Sequence, residues 1–218
     1  VSRVINHQGE ISAETRARVQ SVIDQLGYRP NILARSLVRQ YSQLLGVVTW
    51  GLDYYAPSRI VNGIERRARE LGYSLFLHLM PDPAEGSPDQ ILDTLAAHRV
   101  DGIIWAIPEV GVNHDWVQPA QLGNLPPLVF VNMQPRPDLL SVSVDNWLGG
   151  YQAAQHLIEQ GRQRIGLICG PAGWWESGQR YRGWQQALQQ AGLEIRTERI
   201  VQARWSVESG AQAMQNLL

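Results

Sequence analysis

The chain contains no lysine; all nineteen of its basic side chains are arginine. We attribute this to codon usage and not to function. It has a single cysteine, Cys169, which excludes an internal disulfide and fits a reducing compartment. Cys169 lies in Ile165-Gly166-Leu167-Ile168-Cys169, a buried-strand pattern, and reads as a small core residue and not as a nucleophile. No apolar run is long enough to span a bilayer. No charged stretch followed by an apolar one opens the chain as a secretory signal would. The histidines, at positions 7, 78, 98, 114 and 156, are scattered without metal-ligand spacing, so no metal or other cofactor is expected. No G-x-G-x-x-G follows the first strand and no G-x-x-x-x-G-K-[ST] occurs, which argues against an enzyme on a dinucleotide-binding fold. Gly178-Gln179-Arg180-Tyr181-Arg182-Gly183 has the glycine spacing of a phosphate loop without its lysine, and reads as the start of a helix.

What remains is an ordinary globular composition, 44% hydrophobic and 18% charged, in a chain of 218 residues that can bury a real core and hold more than one domain. The net charge of −1 is unevenly spread. Residues 1–40 carry six arginines against Glu10, Glu14 and Asp24, a balance of +3 that leaves −4 on the rest. A basic end on a mildly acidic body points to a polyanion-facing segment.

That basic end reads as helical. Val1-Ser2-Arg3-Val4-Ile5-Asn6 is the tail of a short helix, and Ser12 caps a second that runs to Leu26, with Val19, Val22, Ile23 and Leu26 as its inward face. Gly27 supplies its left-handed stop. Pro30 disfavours helix before it, and Asn31 can cap the short run Ile32–Leu37. Residues 40–43 form a polar linker. From Leu44 the pattern alternates: strands at 44–50, 73–79, 101–106 and 127–132, with helices at 58–71 and 87–98. A second set follows: helix 146–160, strand 164–169, helix 178–191, strand 198–202, helix 206–218. Apolar strand runs alternating with amphipathic helices predict parallel sheets covered on both faces, arranged as two similar lobes. The expected boundaries are 1–43, 44–142 and 143–218. The chain begins at valine and stops inside the second lobe's pattern, so a preceding and a following part are expected.

Taken in order and spacing, several segments resemble the lactose-repressor/galactose-repressor family of bacterial transcription regulators. In the first forty residues these are Val1–Asn6, Ser12-x-x-Thr15-Arg16-x-x-Val19, and Leu26-Gly27-Tyr28-x-Pro30-Asn31-x-x-Ala34-Arg35-Ser36-Leu37. In the body they are Arg99–Ile104, Val144-Asp145-Asn146, Gly170-Pro171 and Trp205-Ser206-x-Glu208-Ser209-Gly210. Ala56-Pro57-Ser58-x-Ile60-Val61, Arg180 and Trp205 resemble the lactose-repressor branch in particular. The resemblance implies an α/β, two-lobed, periplasmic-binding-protein-like body behind an incomplete helix-turn-helix headpiece. The family's first helix, its turn and the start of its recognition helix precede Val1, so this stretch alone is expected to bind DNA poorly.

For operator DNA, the resemblance implies base reading by Arg3, whose guanidinium can bond guanine O6 and N7 together; a phosphate contact is the plainer alternative. Ser2, Asn6, Ser12, Thr15, Tyr28 and Asn31 suit phosphate contacts, which position without specifying. Ser12 and Asn31 can serve as helix caps as well. Ala34 and Leu37 fall in the family's hinge helix, where a leucine enters a minor-groove step and kinks the duplex. As an ordinary helix residue Leu37 would pack on the body instead.

A sugar site needs multi-donor groups for hydroxyls and an aromatic face for the ring. Arg180 offers a donor fork, and Trp205 is the stacking candidate. Asn132 ends the fourth strand at its carboxyl end, where open α/β sheets bind ligands, and offers both donor and acceptor. The resembled branch has an acid there. Ala56, Pro57 and Ile60 form the apolar wall. Trp50, Trp147, Trp174 and Trp175 are further candidates for the cleft lining, the last two placed in a loop after Pro171. Asp145 either accepts from a hydroxyl or holds the crossover between lobes.

The expectation is therefore a cytoplasmic bacterial regulator, a repressor by the resemblance, not an enzyme. It would act as a homodimer or larger homo-oligomer, bind operator DNA, and respond to a small sugar such as a β-galactoside. The alternative is a transport-type sugar-binding protein with no DNA role, which predicts an export signal and no headpiece.

Overall fold

Ser12 opens helix α1 (Ala13–Gln25) as the sequence predicts. Its hydroxyl accepts the Thr15 N–H at 3.3 Å and donates to the Thr15 hydroxyl at 2.9 Å. Gly27 leaves the helix at φ 57°. The computed structural model describes Val4 and residues 11–27, 41–85, 87–118 and 122–218. The chain divides into two units, Val1–Ser42 and Gln43–Leu218. In the first, the predicted inward face is only half realised: Val19 and Ile23 are half-buried, whereas Val22 and Leu26 are exposed.

In the second unit the apolar run Leu44–Trp50 becomes β1, whose Val47, Val48 and Thr49 are fully buried. A strand so covered has neighbours on both sides and helices on both faces. Helix α2 (Tyr55–Glu70) leads to β2 (Ser74–Met80), and α3 (Pro88–Ala97) to β3 (Gly102–Trp105). Then come β4 (Leu128–Val131) and the two-residue β5 (Ser141–Val142). The order is β2-β1-β3-β4-β5, every pair parallel. The core beneath centres on Leu95, Ile103, Trp105, Phe130 and Met133, none more than 1% exposed. Because all five strands run the same way, their carboxyl ends share one edge.

The second lobe contains α4 (Asn146–Glu159), β6 (Leu167–Cys169), α5 (Trp175–Gln190), a 3-10 turn (Thr197–Arg199), β7 (Ile200–Gln202) and α6 (Val207–Leu217). β6 and β7 pair in parallel. Ala154, Ile165, Trp184, Ala187 and Leu188 form its core. Helices α4 and α5 cross closely because Gly183 has no side chain; a Cβ there would collide with the Trp147 carbonyl.

Most predicted elements lie within two residues of these. Three differences are larger. The strand expected at 164–169 is Leu167–Cys169 only, the stretch with a partner in β7. There Ile168 is 38% exposed and Cys169 half-buried, its thiol 3.6 Å from the Val201 carbonyl, so this is not a strand covered on both faces. Helices α2 and α5 each begin three residues early. For α5 the reason is tertiary: the Trp175 N–H donates to the Glu109 carbonyl of the first lobe at 3.0 Å. β5 escaped notice because two residues carry no periodicity. Among the described residues no helix is long and apolar enough to cross a membrane.

Candidate ligand-binding cleft

The carboxyl ends of β1, β3 and β4 open onto a cavity of about 540 Å³ between the two lobes. The first lobe contributes Trp50, Ala106, Pro108 and Asn132 just at or beyond the strand ends. It adds Tyr54, Tyr55, Ala56, Pro57 and Ile60 from the start of α2. The second lobe contributes Trp174, Glu176 and Arg180 at the start of α5, and Arg204, Trp205, Ser206 and Val207 at the turn into α6. The six positions expected from sequence (Ala56, Pro57, Ile60, Asn132, Arg180 and Trp205) thus converge on one cleft.

Asn132 is the first residue past β4 and sits at φ 60°, in the left-handed region that asparagine tolerates better than most side chains. Its backbone N–H donates to the Val142 carbonyl at 3.0 Å, so β5 fixes the turn that presents it. Arg180 is held from behind: its Nη1 donates to the side-chain oxygen of the buried Asn146. Asn146 in turn donates to the Val144 carbonyl at 3.1 Å. The Arg180 guanidinium lies over the Trp205 ring, 5.5 Å from its centre, close enough for a cation–π contact. Trp205 meets Trp174 edge-on at 5.6 Å, Trp174 meets Trp50 at 5.1 Å, and Trp50 meets Tyr54 at 5.2 Å. One aromatic chain therefore runs across the cleft from one lobe to the other. Gly170 makes room for it, since a Cβ there would collide with the Trp205 ring.

Two further contacts tie the lobes beside the cleft. Val110 and Trp174 form an antiparallel bridge, and the Gly111 N–H donates to the Gly173 carbonyl at 3.1 Å. Glu109 steadies the first-lobe side: its carboxylate accepts the Gln134 N–H at 2.9 Å and pairs with Arg136 at 3.6 Å.

Several expectations change. Trp147 does not reach the cleft; it faces along α4 and stacks on Tyr151 at 5.3 Å. Trp175 is the first residue of α5, not a loop residue, and is not part of the cavity wall. Asp145, left open between ligand and crossover, caps α4 by accepting the Leu148 N–H at 2.8 Å. Glu176 was missed, although its place four residues before Arg180 puts both on one helix face. Tyr54 and Tyr55 were missed beside the apolar wall they extend. Burial pushes the Glu176 carboxyl above the usual carboxylate range, and the Arg180 charge pulls it partly back.

Of the positions proposed for DNA, Ser12 caps α1 and Thr15 is the residue it bonds, as described above. Ser2, Arg3, Asn6, Tyr28, Asn31, Ala34 and Leu37 lie outside the described residues.

A parallel sheet whose strand ends face a cleft, closed by a second α/β lobe carrying cationic and aromatic side chains, defines a small-molecule-binding body of the periplasmic-binding-protein type. The chain belongs to the LacI family. The family model for periplasmic binding proteins and the sugar binding domain of that family matches residues 53–218, and that for bacterial regulatory proteins of the lacI family matches residues 1–31. Relatives include the HTH-type transcriptional regulator DegA of Bacillus subtilis, 31% identical over 100% of this chain and 65% of its own length. The lactose operon repressor of Escherichia coli is also 31% identical, over 100% of this chain and 59% of its length. The HTH-type transcriptional repressor PurR of Haemophilus influenzae is 30% identical, over 100% and 64%. This chain therefore spans less than two thirds of these relatives. Among solved structures, the lac repressor dimer bound to operator and the anti-inducer ONPF matches with a TM-score of 0.85 at 30% identity, over 99% of this chain and 64% of that one. The transcriptional regulator CelR in complex with cellobiose matches with a TM-score of 0.65 at 28% identity, over 100% and 65%.

Proposed function

We propose that the protein is a DNA-binding transcription regulator, a repressor, whose operator affinity is set by a small sugar held between its lobes. The cleft carries this reading: a donor fork at Arg180, a donor–acceptor amide at Asn132 and aromatic faces led by Trp205 converge on a cavity large enough for a disaccharide. Such a mixture recognises hydroxyls and the apolar face of a sugar ring together. Residues 44–142 form the first lobe and 143–218 contribute to the second. Effector binding favours one lobe arrangement and operator binding the other, which is linkage between two sites through a two-state body. The regulator reading predicts no catalysis, a homodimer or larger homo-oligomer, and a place in the bacterial cytoplasm. The match of residues 1–31 to the regulatory family supports it over a transport-type binding protein.

A β-galactoside is the leading effector, on the strength of Ala56-Pro57-Ser58, Arg180 and Trp205. The similarity to the CelR–cellobiose complex favours another disaccharide as the second reading. Tryptophan-fluorescence titration with galactosides, glucosides and free monosaccharides tests both. Saturable quenching by a β-galactoside that is lost in Trp205→Phe is the expected result. Quenching by cellobiose alone selects the second reading. Silence across the panel removes the sugar.

A further inference from the structure

Among the described residues, Glu176 is the one acidic side chain lining the cleft. It stands at the second position of α5, one helical turn before Arg180, so both point from one face into the same cavity. It is half-buried, and no donor among the described residues lies within hydrogen-bond distance of its carboxylate. By contrast, Glu109 holds Gln134 and Arg136, and Asp145 caps α4. The surroundings of Glu176 are instead largely apolar and aromatic, with Trp174 two residues before it in the cavity wall. A carboxylate in such a place loses part of its hydration, a cost that the nearby Arg180 charge offsets only in part. Burial accordingly pushes its carboxyl upward even with Arg180 nearby.

Resting on the sugar-responsive reading above, we propose that Glu176 is a specificity-determining residue that accepts a hydrogen bond from a hydroxyl of a neutral sugar, next to the hydroxyl served by Arg180. The pair supplies an acceptor and a donor fork side by side, the complement of two neighbouring hydroxyls. A carboxylate can only accept. The same position therefore rejects a uronic acid or a sugar phosphate whose anion would fall there, since like charges in a partly desolvated site repel. Arg180 and Arg204 would otherwise favour such anions.

The test is a titration of the protein and of Glu176→Gln by tryptophan fluorescence. The probes are lactose, cellobiose, galactose and glucose, then galacturonic and glucuronic acid, and the monodeoxy analogues of whichever neutral sugar binds. The amide keeps the shape of the side chain, and an unchanged melting temperature shows that the fold is intact. The expected result is that Glu176→Gln weakens the neutral sugar about tenfold and narrows its advantage over the uronic acid. One monodeoxy analogue should bind the two proteins equally, because the deleted hydroxyl and the deleted charge are the same interaction. A wild-type protein that binds a neutral sugar, with Glu176→Gln matching it on every probe, overturns the role of Glu176 and leaves the sugar reading standing. A wild-type protein that binds only the uronic acids, or nothing, overturns both.

Discussion

Gly150 of α4 lies directly against the backbone carbonyl of Arg180 on α5, so closely that a Cβ would collide with it. Gly183 makes the reciprocal approach to Trp147. The position of Arg180 in the cleft is thus set by helix packing as well as by its bond to Asn146. Neither glycine is there for backbone freedom; each is there because a neighbouring backbone occupies the space a methyl would need.

Gly150→Ala should push the helices apart. Overpacking of this kind costs about 1–3 kcal/mol. The displacement also carries Arg180, so effector affinity should fall along with stability. Urea unfolding and a fluorescence titration on the same variant check both, and an unchanged affinity would mean that the helices adjust without moving the arginine.

Arg180→Ala should abolish the effector response while leaving operator binding intact. Losing hydrogen bonds from a charged group costs roughly 1.5–3 kcal/mol, or about 10- to 150-fold in affinity. The variant also leaves Asn146 without its partner, so a modest loss of stability should accompany it. Release of DNA at ordinary sugar concentrations would show that the cleft has been misassigned.

Asp145→Ala should cost about 1 kcal/mol of stability, the usual worth of an N-cap. Sugar affinity should not change, because the carboxylate is committed to Leu148. A loss of affinity with unchanged stability would return Asp145 to the ligand.

Stability should depend on pH through His114. It is 1% exposed, and its Nδ1 lies 2.5 Å from the Asn113 side-chain oxygen. Nε2 has no partner among the described residues. Burial first, and then the charge of Arg136, lower its pKa from 6.5 to about 4. The folded state thus holds His114 neutral where the unfolded chain takes up a proton. The stabilisation is complete above pH 6.5 and is lost as pH falls toward 4. Between pH 7 and pH 5 this amounts to about 2 kcal/mol. Denaturant titrations at both values, repeated on His114→Leu, should show that slope shrinking in the variant. An equal slope in both proteins would assign it to other groups.

The lobed architecture was legible because its signals are local. LLGVVTW at 44–50 is a run of apolar side chains that only a strand covered on both faces can bury, and it became β1 residue for residue. The wall at Ala56, Pro57 and Ile60 was legible from segment resemblance, as were Arg180 and Trp205. Trp147 and Trp175 misled because tryptophan is equally at home in packing and in a ligand site, and helix phase decides between them. Glu176 was overlooked because a glutamate near a helix start ordinarily serves the helix dipole in water.

By itself, then, the sequence determined the alternation of strands and helices and the cap at Ser12. Periodicity and capping involve neighbours three or four residues apart, which chain geometry alone brings together. Tertiary structure decided which distant residues share the cleft. Trp50, Trp174 and Trp205 meet across more than a hundred residues of chain only because the parallel sheet turns its strand ends one way and the Val110–Trp174 bridge brings the second lobe to them. It also decided that Asp145 belongs to a helix and Glu176 to the cavity, since the partner of a carboxylate depends on what packing leaves within reach.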